Sequence, residues 1–128
     1  MTEYLELDDL ITAATAALGW PPEISDVGLL EAALARPKAS VYGAEAYPNL
    51  DTKAGALLHS IVAGHGLVDG NKRLGWVAVR LFYALNDRDL RMPLDMAFDL
   101  IVEVADGRLS DVREIADRLA GFVVDLQP

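Results

Sequence analysis

A histidine, an aspartate, an asparagine and two cations fall within one short run, His65-Gly66-Leu67-Val68-Asp69-Gly70-Asn71-Lys72-Arg73. Each residue type suits one part of a phosphate-transfer reaction. An imidazole takes a proton near neutral pH, which fits His65 to the role of general base. Mg²⁺ binds through one or two carboxylates plus substrate phosphate oxygens, which fits Asp69. The first N–H groups of a helix lack internal partners and lie at the positive end of its dipole. A helix beginning at Asn71 therefore offers an anion site. Lys72 and Arg73 are unfavourable for helix stability at that end. Such a broken local rule marks a functional position, and a bound polyphosphate would balance the charge.

Competing nucleotide motifs fail on spacing. Gly64, Gly66 and Gly70 are spread one residue too widely for the dinucleotide fingerprint, and no strand precedes them. In a Walker A loop Gly-Lys is followed by Ser or Thr, whereas here Asn71 separates Gly70 from Lys72 and Arg73 follows. His59 and His65 fall on different helical faces, and the chain has no cysteine, so neither a zinc site nor a disulfide framework is expected.

The elements that must position this run are helical. Leu7 to Leu18 reads as a first helix, stopped at Gly19-Trp20-Pro21-Pro22. Asp26 is placed to cap a second, Val27 to Ala35, closed by Pro37. Lys38 to Leu50 reads as a loop or short extended flap. A third helix starts at Asp51. Its stripe of Ala54, Leu57, Leu58, Ile61 and Val62 extends by three to His65, where the helix leaves the core. The fourth, from about Asn71 to Leu85, is apolar almost all round and is expected to be central. Leu94 to Ala105 makes a fifth. Ser110 is expected to cap a sixth, with Val112, Ile115, Ala116, Leu119 and Val123 on one face. Ala39 to Tyr42 and Asp89 to Met92 are short extended candidates, but no sheet is needed. The reading is all-α, about six helices in a single domain, 1–128.

Composition bounds the partners. The chain is 52% apolar, enough for a packed core. Its net charge of −9 argues against a direct nucleic-acid role and makes the placement of the 11 cations informative. The acidic start lacks a signal peptide's basic end and apolar run. The longest uncharged run, Ala54 to Val68, is too short and mixed to span a bilayer, so no membrane role is expected and the cytoplasm is the expected compartment.

The motif resembles the signature of the Fic/Doc superfamily, His-Pro-Phe-x-Asp/Glu-Gly-Asn-Gly-Arg. His65, Asp69, Gly70, Asn71 and Arg73 match in order and spacing, and the Asn71-Lys72-Arg73 run is typical of the death-on-curing (Doc) branch. Gly28 to Glu31, Ala33 to Pro37, Tyr47-Pro48 and Lys53 to Ser60 resemble Doc-type chains as well. The resemblance implies a compact helical bundle with the motif loop between two central helices. It implies His65 as general base, Asp69 as the Mg²⁺ ligand, and Gly70, Asn71, Lys72 and Arg73, with Val68 in the loop, on the phosphates of ATP. Lys72 implies transfer of the γ-phosphate, as in a kinase. The implied target is a threonine of a translation factor, elongation factor Tu, and the implied partner a Phd-type antitoxin. Gly66-Leu67 stands where the signature has Pro-Phe. Leu67 is expected to anchor the loop and Gly66 to loosen it. Leu74 replaces a frequent threonine, and Ala63 an arginine of some members. Transfer of AMP, and a degenerate member acting only by binding, are the alternative functions.

Overall fold

The structure is a computed structural model that describes residues 1–127. Local chemistry sets most helix ends. Helix α1, Leu7–Leu18, opens with the Asp9 carboxylate accepting the Glu6 N–H at 2.8 Å and ends at Gly19, whose φ of 85° needs no Cβ. Helix α2, Val27–Ala35, opens at Asp26, whose carboxylate accepts the Gly28 N–H at 2.9 Å. A 3₁₀ turn, Arg36–Lys38, carries the chain past the buried Pro37. Strands β1, Ser40–Val41, and β2, Ala44–Glu45, then form a small antiparallel hairpin. It turns on Tyr42 and Gly43, both at positive φ, as a two-residue hairpin turn requires.

Helix α3, Leu50–Gly64, begins one residue before the expected Asp51, because Asn49 caps it by accepting the Thr52 N–H at 2.9 Å. Helix α4, Asn71–Leu85, and helix α5, Leu94–Ala105, have the expected bounds. Strand β3, Arg88–Leu90, lies between them. The cap of the sixth helix is corrected from Ser110 to Asp111, whose carboxylate accepts the Arg113 N–H at 2.9 Å. Helix α6, Val112–Ala120, also ends sooner than expected. Val123 belongs to strand β4, Val123–Asp125, which pairs antiparallel with β3. Among the described residues two small strand pairs thus accompany six helices.

The centre of the bundle is α3 rather than α4. Lys53 to Leu58 form an unbroken buried run, and Ile61 and Val62 extend it. Small side chains let neighbours close in: a Cβ on Gly55 would lie 2.9 Å from the Val112 carbonyl of α6. Helix α4 packs beside α3 through Leu74, Gly75, Ala78, Val79, Phe82 and Tyr83, while Arg80, Leu81 and Leu85 reach solvent. Tyr83 donates to the Asp51 carboxylate at 2.7 Å and ties the far ends of the two helices together. Lys53, 2% exposed, donates to Glu45 at 3.0 Å and to the Tyr47 carbonyl, so its buried charge is paired and anchors the hairpin. The helices holding the candidate run are therefore rigidly packed on each other.

Candidate active site

His65 closes α3 as its C-cap residue in the left-handed region, φ 55° and ψ 46°. Glycine usually occupies that position, and any other L-residue carries strain there. Contacts from far along the chain hold the turn. The Ser25 hydroxyl donates to the carbonyls of His65 at 3.0 Å and Gly66 at 3.1 Å. The backbone N–H groups of Ser25 and Asp26 also donate to the Gly66 carbonyl, at 2.9 and 3.1 Å. Val68 N–H donates to the Glu23 carbonyl at 2.9 Å, and Ile24 bridges Leu67. The α1–α2 connector is thus stitched along the candidate loop. Leu67 is buried, as its anchoring role requires. The expected loosening at Gly66 is not seen. A Cβ there would lie 2.6 Å from Leu30 Cδ2, and the Gly66 carbonyl accepts three donors.

Asn71 is the residue whose role changes most. Its carboxamide accepts the Leu67 N–H and donates to the Leu67 carbonyl, both at 2.9 Å, and it is 8% exposed. The side chain therefore closes the loop. What Asn71 presents to the cleft is the start of α4. Gly70, at φ 94°, is the cap residue of α4, and no side chain caps that end, so the first-turn N–H groups lack helical partners. Leu18 packs on Gly70 where a Cβ would come within 2.6 Å.

Lys72 and Arg73 are exposed, and neither joins an ion pair among the described residues. Asp69 is exposed, and its Oδ1 accepts the Gly70 N–H at 2.8 Å, leaving Oδ2 for a cation. Among the described residues no three metal-ligating side chains gather. A single carboxylate fits Mg²⁺, which takes its other ligands from water and substrate phosphates.

A cleft of about 780 Å³ brings His65, Val68, Asp69, Gly70, Asn71, Lys72 and Arg73 together. Leu18, Trp20 and Glu23 form another wall, and Val102 and Ala105 of α5 with its cap residue Asp106 a third. The size suits a nucleotide-scale ligand. His59 lies outside that lining. Its Nδ1 accepts from Arg36 at 2.8 Å, and Arg36 also donates to Ser60 at 3.0 Å and Tyr47 at 2.9 Å. Burial, then the Arg36 charge, lowers the His59 pKa and so favours the neutral ring. His59 and His65 therefore form no joint site.

The arrangement can bind a polyphosphate at the start of α4 with a proton acceptor alongside. Residues 2–83 match the family model described as the Fic/DOC family. The chain is also 48% identical over 129 residues to Toxin Doc of Mycolicibacterium smegmatis (strain ATCC 700084 / mc(2)155), an alignment covering 99% of this chain and 98% of that protein. The chain belongs to the Fic/Doc family. The family model stops inside α4, so it includes the connector, the hairpin and the candidate loop. The likeness to the mycobacterial toxin continues through α6 and so includes α5, whose C-terminal end supplies the third wall of the cleft. Sequence reading missed Ser25, Trp20 and Glu23, which belong to a connector read only as a helix stop. It also missed Asp106, the α5 cap residue.

Proposed function

We propose that this Fic/Doc protein is a Doc-type toxin of a toxin–antitoxin pair that transfers the γ-phosphate of ATP to a protein hydroxyl. The observation that carries the reading is the cleft. It gathers His65 and Asp69 beside Lys72 and Arg73, which stand on the uncapped first turn of α4 and join no ion pair among the described residues. The triphosphate lies on the uncapped first-turn N–H groups of α4, with Lys72 beside the terminal phosphate and Arg73 against the chain of phosphates. The target hydroxyl attacks the γ-phosphorus while His65 takes its proton. The bond from that phosphorus to the bridging oxygen breaks, and ADP leaves with the electron pair. Mg²⁺, held by Asp69 and phosphate oxygens, would supply charge neutralisation on the transferring group. The target proposed is a threonine of elongation factor Tu, and the compartment the cytoplasm. No helix among the described residues is long and apolar enough to cross a membrane.

A Phd-type antitoxin is the proposed partner. An apolar groove of about 320 Å³ adjoins the cleft between α4 and α5, lined by Trp76, Leu94, Phe98 and Ile101 and bordered by Lys72 and Arg73. Leu94 is 78% and Phe98 69% exposed. An amphipathic acidic segment suits such a surface, and once seated it would lie against both cations of the site.

The test uses purified protein, a bacterial lysate and ATP labelled in turn at the α- or γ-phosphate. A band of elongation factor Tu size should take the γ-label alone. Transfer of the α-label would replace this reading with AMP transfer. No transfer of either label by folded protein would leave a binding or regulatory member.

A further inference from the structure

We infer that Trp20 is the base platform of the nucleotide site, an indole on which the base of a nucleoside triphosphate stacks while its phosphates lie on the start of α4. The inference rests on the nucleotide reading above and adds to it the residue that recognises more than phosphate. Trp20 is 64% exposed, although a tryptophan with a free choice of position would bury its ring. It lines the same cleft as Lys72 and Arg73, and no phenylalanine or tyrosine does.

Its backbone is fixed from both sides. Gly19 turns the chain in a left-handed cap, with its N–H on the Thr15 carbonyl at 2.9 Å. Leu18, just before it, packs on Gly70 of the loop. Three residues after Trp20, the Glu23 carbonyl accepts the Val68 N–H at 2.9 Å. Between these attachments run Pro21 and Pro22, whose rings lock φ and restrict the residue before them. The ring is thus carried on a stiff segment tied at each end to the loop that precedes the phosphate-binding start of α4. An aromatic platform held in this way loses little freedom on binding. Stacking needs only the face of a base, so it suits an exposed ring without a dedicated hydrogen-bond partner.

The competing platform is Trp76, in the neighbouring groove, whose ring already carries the Arg80 guanidinium at 5.8 Å. The chain has 2 tryptophans, so fluorescence separates them. In Trp76→Phe protein, titration with Mg-ATP should quench the remaining emission, and Mg-tripolyphosphate should quench it far less. By calorimetry, Trp20→Ala should weaken Mg-ATP on the order of tenfold and leave Mg-tripolyphosphate within about twofold. Trp20→Phe, which keeps a ring, should restore most of the ATP affinity. Equal weakening of both ligands by Trp20→Ala would mean that the residue only supports the loop, and would overturn the inference. No change in either would place the base elsewhere. If the unaltered chain binds tripolyphosphate and ATP equally, the phosphate site stands and the platform falls. If it binds neither, the nucleotide reading falls, and the platform with it.

Discussion

His65 and Ser25 form a pair in which a strained residue is held by a distant one. A histidine at φ 55° sits where the backbone favours glycine, and the Ser25 hydroxyl secures its carbonyl at 3.0 Å. Strain of this kind persists when the side chain is needed. His65→Gly should therefore melt no lower than the parent, while label transfer falls by about 10²–10⁴. A drop in melting temperature together with retained transfer would remove His65 from the chemistry. Ser25 should act on rate through His65. Ser25→Ala should lower transfer roughly tenfold at saturating ATP with nucleotide affinity unchanged, and Ser25→Thr should restore it. If Ser25→Ala lowers only the melting temperature, its hydroxyl serves folding alone. The candidate run was legible because its nine residues are consecutive, so spacing alone reveals them. Ser25 and Trp20 were not, since they reach the site only through tertiary pairing across 40 or more positions. Asn71 shows a different limit. Its type fitted the pattern, yet only burial reveals that the carboxamide serves the loop backbone.

At the scale of elements, the loop is only as fixed as the α3–α4 pair that carries it. The closest approach is at Gly75, where a Cβ would lie 2.5 Å from Val62 Cγ2 and 3.2 Å from Leu58 Cδ1. Gly75→Ala should cost about 1–3 kcal/mol by overpacking. Gly64, at the end of α3, has nothing within 4 Å of its added Cβ. Gly64→Ala should stabilise by up to about 1 kcal/mol through helix propensity. Urea unfolding of the two variants checks the pair, and a Gly75→Ala midpoint equal to the parent's would mean the helices can separate freely. Most helix bounds were legible because caps and periodicity are local properties. Val123 was misassigned because it lies four residues after Leu119 and continues the helical stripe. The chain leaves the helix after Ala120, and Val123 pairs with Leu90. A strand of three residues carries little signal of its own, since its stability comes from the partner strand. The expectation of a fully enclosed α4 failed for a related reason: an apolar helix face states that it can be covered, and here the α5 side leaves a groove at Trp76.

Across the whole molecule, charge and apolar exposure are arranged unevenly. The chain carries −9, yet Lys72 and Arg73 join no ion pair among the described residues on α4 where the cleft meets the groove, and Arg80 lies further along the same helix. A surface with exposed Leu94 and Phe98 beside cations suits an apolar segment carrying acidic residues, as proposed for the antitoxin. Phe98 makes the sharpest test because it is exposed and lines the groove but not the cleft. Phe98→Asp removes a large contact and sets a negative charge against an acidic partner. Exposed substitutions away from caps and buried networks change stability by about 0.5 kcal/mol or less, so the variant should melt near the parent. Its label transfer should also persist, since no proposed reaction group is touched. Binding to the antitoxin should weaken on the order of 100-fold, the scale of a buried aromatic anchor. Cells producing both proteins should then stop growing where the parent pair does not. Phe98→Leu, which keeps an apolar side chain, should remain neutralised. If Phe98→Asp is still bound and silenced like the parent, the antitoxin covers another face, and the groove between α4 and α5 has no part in neutralisation.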